Sequence, residues 1–156
     1  MNQLQTLAAE ISWATKNLAY NLDFIPDDKL DWKPAPTALS ALEVVGHLLT
    51  AIDYFKGSIE NAGPGAVPEG DGPTPTSRDE AKSKLIAAGE EYSRMLLALT
   101  PEEAERKVEL SFGSYPLSFV ASMAVTDSVH HHGQIAYIQT LLGDTESHFD
   151  FSLLPQ

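Results

Sequence analysis

Residues 119–142 read FVASMAVTDSVHHHGQIAYIQTLL. Val120, Ala124, Asp127, His131, Ile135, Ile138 and Leu142 follow one another at steps of three or four, the repeat that lines side chains along one stripe of a long helix. Most of that stripe is apolar and faces a core. At its middle, one turn apart, stand a carboxylate and an imidazole. Burying both costs several kcal/mol unless something pairs with them. A bound divalent cation is one such partner, and an ion pair between the two across the turn is another.

Upstream, Leu4, Leu7, Ile11, Ala14, Leu18 and Leu22 predict an amphipathic helix over residues 2–22. Pro26 and the pair Asp27-Asp28 break it, and Trp32, close to Pro34 and Pro36, is expected to plug one end of the core. Ser40-Ala-Leu-Glu43 is a capping box that opens a second helix to about residue 58, with Val44, His47, Leu48, Ala51, Ile52 and Phe55 inward. Asn61–Thr76 is rich in glycine and proline. It predicts a crossover, or a lid long enough to fold back over His47, rather than a tight turn. A second capping box, Ser77-Arg-Asp-Glu80, opens a third helix to about Leu99, with Ala81, Leu85, Ala88, Tyr92 and either Met95 or Leu96 inward. Thr100-Pro-Glu-Glu103 predicts a short extra helix. Residues 108–116 read as extended or turn-like, and Gly143 ends the final helix. Phe149, Phe151, Leu153 and Leu154 predict a tail that packs back. The strand signal is weak everywhere, so the expected fold is an all-α four-helix bundle with long crossover connections between the second and third and the third and fourth helices, one domain over residues 1–156.

Composition narrows the function classes. The 156 residues are 43% hydrophobic and 21% charged, as in soluble globular proteins. Ten basic residues against 22 acidic give a net charge of −12, the wrong sign for nucleic acid or an anionic membrane surface. MNQLQTLAAEISWATK has no basic n-region, and no apolar run approaches the length that spans a bilayer, so a cytoplasmic location is expected. There is no cysteine. Disulfides, thiolate ligands and a cysteine nucleophile are excluded, and any thiol chemistry would use an imported thiol.

His47 lies in the middle of the second helix's inner face. With Asp127 and His131 it forms a candidate two-histidine, one-carboxylate ligand set, in which the pair at i and i+4 grips a cation from one helix and positions stay open for water or substrate. His47 equally reads as a core histidine bonded to a backbone carbonyl, and Asp127–His131 as a structural pair. Spacing does not choose between these. His130 and His132 point away from the stripe, as a flank contact and a solvent-side residue, and Gln134 stands where it can orient a ligand.

Three pieces together carry a family resemblance: IPDDKLDWKP over 25–34, SALEVVGHL over 40–48, and HHHGQ over 130–134 followed by LLG over 141–143. In order and separation they resemble the DinB-like (DinB/YfiT) superfamily, whose members are taken to be metalloenzymes, over nearly the whole chain. The resemblance implies a four-helix bundle, often a homodimer. It implies a metal site made of one histidine from the second helix and two residues four apart on the last, here His47, Asp127 and His131, holding zinc, nickel, iron or manganese. The first of the two last-helix positions is usually histidine in the family and is Asp127 here; related thiol-dependent isomerases of the same fold carry a carboxylate there. Arginines often found before Gly-Gln and near the end of that helix are His132 and Thr140 in this chain. The resemblance further implies a small-molecule substrate and S-transfer from a low-molecular-weight thiol, with metal-assisted hydrolysis second. The rival expectation is a non-catalytic bundle, metal-binding or metal-free.

Overall fold

The structure, a computed structural model, describes residues 1–67 and 72–154. Four helices make the frame: α1 (Gln3–Asn21), α2 (Ala41–Asn61), α3 (Arg78–Ala98) and α4 (Leu117–Leu141). Extensive packing joins α1 to α3 and α4, and α2 to the same two helices. The cyclic order is therefore α1–α3–α2–α4, and the connections α1 to α2 and α3 to α4 cross the diagonals. The expected all-α bundle with long crossovers is what the chain forms. One detail differs: α2 and α3 are packed neighbours despite the long segment between them. The extra length runs back along α2. Gly65 N–H donates to Ser58 Oγ at 2.8 Å, and a Cβ on Gly65 would meet Tyr54 O at 2.1 Å. Farther on, Gly72 lies against Thr50 and Thr74 against Gly46. This connection thus passes beside the turn of α2 that carries His47.

Capping chemistry sets the helix starts. Ser40 Oγ accepts from Glu43 N–H at 3.3 Å while the Glu43 carboxylate accepts from Ser40 N–H at 2.8 Å, the reciprocal pair expected. An unanticipated box, Asn2 with Gln5, starts α1. The Ser77 box is only half made: Ser77 Oγ accepts from Glu80 N–H, but the Glu80 carboxylate turns to the amide and hydroxyl of Thr76, each at 2.8 Å. Pro101–Glu105 form the short extra helix expected, of 3-10 type, with the Glu103 carboxylate accepting from Thr100 N–H at 2.8 Å.

The apolar stripes meet in one core, with Ile11, Leu18, Leu48, Leu85, Tyr92, Leu96 and Ile135 fully buried and Trp32 packed at its margin. Leu96, not Met95, takes the deep position on α3. Helices α1 and α3 approach closely at Gly89, where a Cβ would come within 2.0 Å of Thr15 Oγ1 on α1.

The segment read as extended or turn-like holds two short strands, β1 (Lys107–Leu110) and β2 (Gly113–Pro116), which pair as an antiparallel hairpin. Four residues cannot show a clear period-two pattern, although Val108 and Leu110 do alternate inward. The tail packs back through Phe149 and Leu153, whereas Phe151 and Leu154, also expected inward, stay exposed. Asn17 exchanges two hydrogen bonds with the backbone of Asp150, Asn21 Nδ2 donates to His148 O at 2.8 Å, and Phe149 meets Trp13 at 5.0 Å between ring centroids. Among the described residues, no helix is long and apolar enough to cross a membrane.

Candidate metal centre

His131 reaches the interior because α4 runs unbroken past it, with its apolar neighbours Ala124 and Ile135 fully buried on the same face, whereas Asp127, one turn earlier, is only half-buried, with 29% of its side chain exposed. His131 is only 3% exposed. Asp127 Oδ2 stands 3.5 Å from His131 Nε2, an ion-pair separation longer than a well-formed hydrogen bond. From α2, the His47 ring meets the His131 ring edge-on, with centroids 5.2 Å apart. The fold therefore pairs His131 with Asp127 and sets the His47 ring against that of His131. Among the described residues, no three histidine or acidic groups already converge closely enough to grip an ion. The assembled part is the Asp127–His131 pair, with His47 one ring contact away.

The other face of His131 decides its chemistry. Nδ1–H donates to Gln134 Oε1 at 2.7 Å, and Gln134 Nε2 lies 3.4 Å from His130 Nε2. With the proton on Nδ1, the lone pair of a neutral imidazole sits on Nε2. That atom is buried and has no hydrogen-bond partner, and it faces a carboxylate. Two electron-rich groups so placed need a positive charge between them, either a proton or a cation. Nitrogen and oxygen donors suit a borderline divalent ion, so the residues present fit the metal that the resemblance implies. Burial alone would lower the His131 pKa, but the facing Asp127 carboxylate and the hydrogen bond to Gln134 outweigh it and hold the imidazole above its ordinary value. Burial likewise pushes Asp127 up, and the bond to His131 and the fields of His131, His47 and His130 bring it below the usual range.

Two grooves flank the pair and share Phe55. One, of about 580 Å³, has Asp127 and His130 in its wall with Phe119 and Met123. The other, of about 180 Å³, has His47, Tyr54 and Val67. Spacing did not reveal the first groove, because Phe119 and Met123 lie off the buried stripe. His130 is an exposed flank residue, as expected. His132 is not solvent-side: the tail covers it, its ring is 5.3 Å from that of Phe149, and burial lowers its pKa.

The four-helix frame with crossed connections is one class of bundle, and residues 10–135 match the DinB superfamily. The chain belongs to that superfamily. Among curated proteins it is similar to YjoA of Bacillus subtilis (strain 168), described as uncharacterized, with 26% identity over 132 residues covering 80% of this chain and 81% of YjoA. The crystal structure of that DinB-like protein superposes with a TM-score of 0.70 at 24% identity, covering 96% of this chain and 97% of the other. A DinB-like protein from Bacillus cereus ATCC 10987 gives a TM-score of 0.69 at 22% identity, covering 84% and 87%. Both likenesses establish the fold.

Proposed function

We propose that this protein is a divalent-metal-dependent enzyme in which His47, Asp127 and His131 hold the ion and a small thiol is transferred to an electrophilic small molecule. The observation that carries this reading is the buried, unpartnered Nε2 of His131 facing the Asp127 carboxylate. A divalent ion bound there supplies Lewis acidity, which lowers the pKa of a thiol or water. Gln134 holds the His131 ring in one tautomer. Asp127 contributes the negative charge that a two-histidine site lacks, and zinc, nickel, iron and manganese are all compatible with that donor set. Phe55 and Phe119 line the groove on one side, and the segment after α2 runs beside the other. Metal-assisted hydrolysis is the second reaction that the same residues support. The chain is read as a cytoplasmic homodimer.

The 3.5 Å ion pair and the raised His131 pKa favour one rival, a non-catalytic bundle in which a proton takes the cation's place. Stripping untagged protein with a chelator and restoring one metal at a time separates the two. Thiol consumption with an aryl halide or epoxide should return with the metal. Restored protein no faster than stripped protein, over several thiols and electrophiles, leaves the bundle reading standing.

A further inference from the structure

The groove beside Asp127 has a chemical character of its own. Phe55 from α2 and Phe119 and Met123 from α4 form its apolar walls, and Ser122 and Thr126 add neutral polar edges. Phe119 is 45% exposed and stacks on Tyr115 of the hairpin at 5.1 Å, so the wall extends past the end of α4. At about 580 Å³ the groove lies within the roughly 300–1,000 Å³ that small-molecule sites occupy.

No lysine or arginine lines it among the described residues. Residues 68–71 and 155–156 are Pro-Glu-Gly-Asp and Pro-Gln, so they add none, and α4 carries none of the chain's ten. Lys56, the neighbour of Phe55, turns instead to α3 and pairs with Glu91 at 2.6 Å. A carboxylate or phosphate ester entering here would lose its hydration without gaining a guanidinium or ammonium. It would also approach Asp127 within a chain of net charge −12. An ammonium would find the one carboxylate among the described lining residues, Asp127, already paired with His131 at 3.5 Å, and would otherwise leave water for walls that are mostly hydrocarbon.

We infer that this groove binds an uncharged, largely apolar small molecule, of aromatic character matched to Phe55 and Phe119, and that it discriminates against carboxylate-bearing analogues. The inference deepens the proposed function and rests on it for one point only, that the bound molecule is the electrophile presented to the Asp127–His131 pair.

The test uses methionine labelled with 13C at its methyl group and titrates wild-type protein, as purified and again after chelation, with benzyl alcohol, benzoate and benzylamine. Benzyl alcohol should shift the Met123 methyl signal saturably while Met95, on α3, stays still. Benzoate and benzylamine should each bind at least about tenfold more weakly, a difference of roughly 1.4 kcal/mol. Thr126 is exposed, so Thr126→Arg places a cation on the rim without disturbing the core; it should strengthen benzoate binding and narrow or invert the preference. Benzoate binding wild type as tightly as benzyl alcohol, with His130 as its partner, would overturn the inference. So would equal or tighter binding of benzylamine, or no saturable Met123 shift with any probe. Metal content is measured separately: a metal-free, inactive protein that still selects benzyl alcohol refutes the metal reading and upholds the groove's selectivity.

Discussion

Gln134 Oε1 lies 2.7 Å from Nδ1 of His131, on the side of the ring away from Asp127. The glutamine is three residues along α4, so the helix itself holds the acceptor in place. One imidazole is thereby gripped on two sides, by an amide that takes its Nδ1 proton and by a carboxylate that faces its Nε2. Removing the amide should cost metal affinity even though the amide itself does not reach the ion's side of the ring. Gln134→Leu is expected to weaken metal binding by roughly 10- to 100-fold, the usual effect of losing a partner behind a ligand. In the metal-free protein the 15N shifts of His131 should move from an Nδ1–H tautomer toward a mixture. Unchanged tautomer and affinity would show that Gln134 is a bystander.

The ligand assignment makes a sharper demand. Untagged wild-type protein should carry close to one metal ion per chain by elemental analysis. His47→Ala and His131→Ala should each remove most of it, while His132→Ala, beneath the tail, should not. Equal loss in all three variants, or full retention in the first two, would refute the set.

Asp127 can be tested by what replaces it. A carboxylate is a harder ligand than imidazole, so Asp127→His should keep the ion and shift competition titrations toward nickel and copper. If Asp127→Ala retains wild-type affinity, the residue is only the ion-pair partner of His131.

His132 gives a pH dependence whose sign can be worked out. Burial lowers its folded-state pKa below the ordinary 6.5, so the unfolded chain takes up a proton that the folded chain resists. This group therefore subtracts stability as pH falls through 6.5 toward its folded value, and costs nothing well above 6.5. Replacing it with a residue that cannot titrate, His132→Phe, should narrow the difference in Tm between pH 8 and pH 5.5. His131 works in the opposite direction: its raised pKa adds stability to the metal-free protein below 6.5, which is lost as pH rises through the folded value. A His132→Phe protein whose pH profile matches wild type would rule out the buried neutral state.

At the α1–α3 contact, Gly89→Ala drives a methyl group to within 2.0 Å of Thr15 Oγ1. Overpacking of this kind costs about 1–3 kcal/mol, which for a chain of this length lowers Tm by roughly 2–4 °C per kcal/mol. Thr15→Ala should restore part of the loss in the double variant. Thermal unfolding followed by circular dichroism reads both effects, and additive losses would place the two residues out of contact.

Local rules reached far in this chain because helices are local objects. The stripe from Val120 to Leu142, the Ser40–Glu43 box and the stop at Gly143 follow from contacts within a few residues, so they were legible before any fold was known. The same reach placed Asp127 and His131 one turn apart and turned His131 inward, while Asp127 stays half-buried at the groove. Short or long-range features were not legible. The hairpin of residues 107–116 is too brief to show a period, and the Glu80 carboxylate had Thr76 as a competitor that spacing cannot rank. The amides of Asn17 and Asn21 look like ordinary helix residues until the tail arrives to meet them, and the same tail takes His132 out of solvent. The sequence by itself determined four helices, their inner faces and an acid–histidine pair. Only the tertiary structure decided that His47 meets His131, that Nε2 is left without a hydrogen-bond partner, and that Phe55 and Phe119 wall a largely apolar groove with Asp127 in its lining. Those relations join residues many turns apart, and only the packing of helix on helix sets their distances.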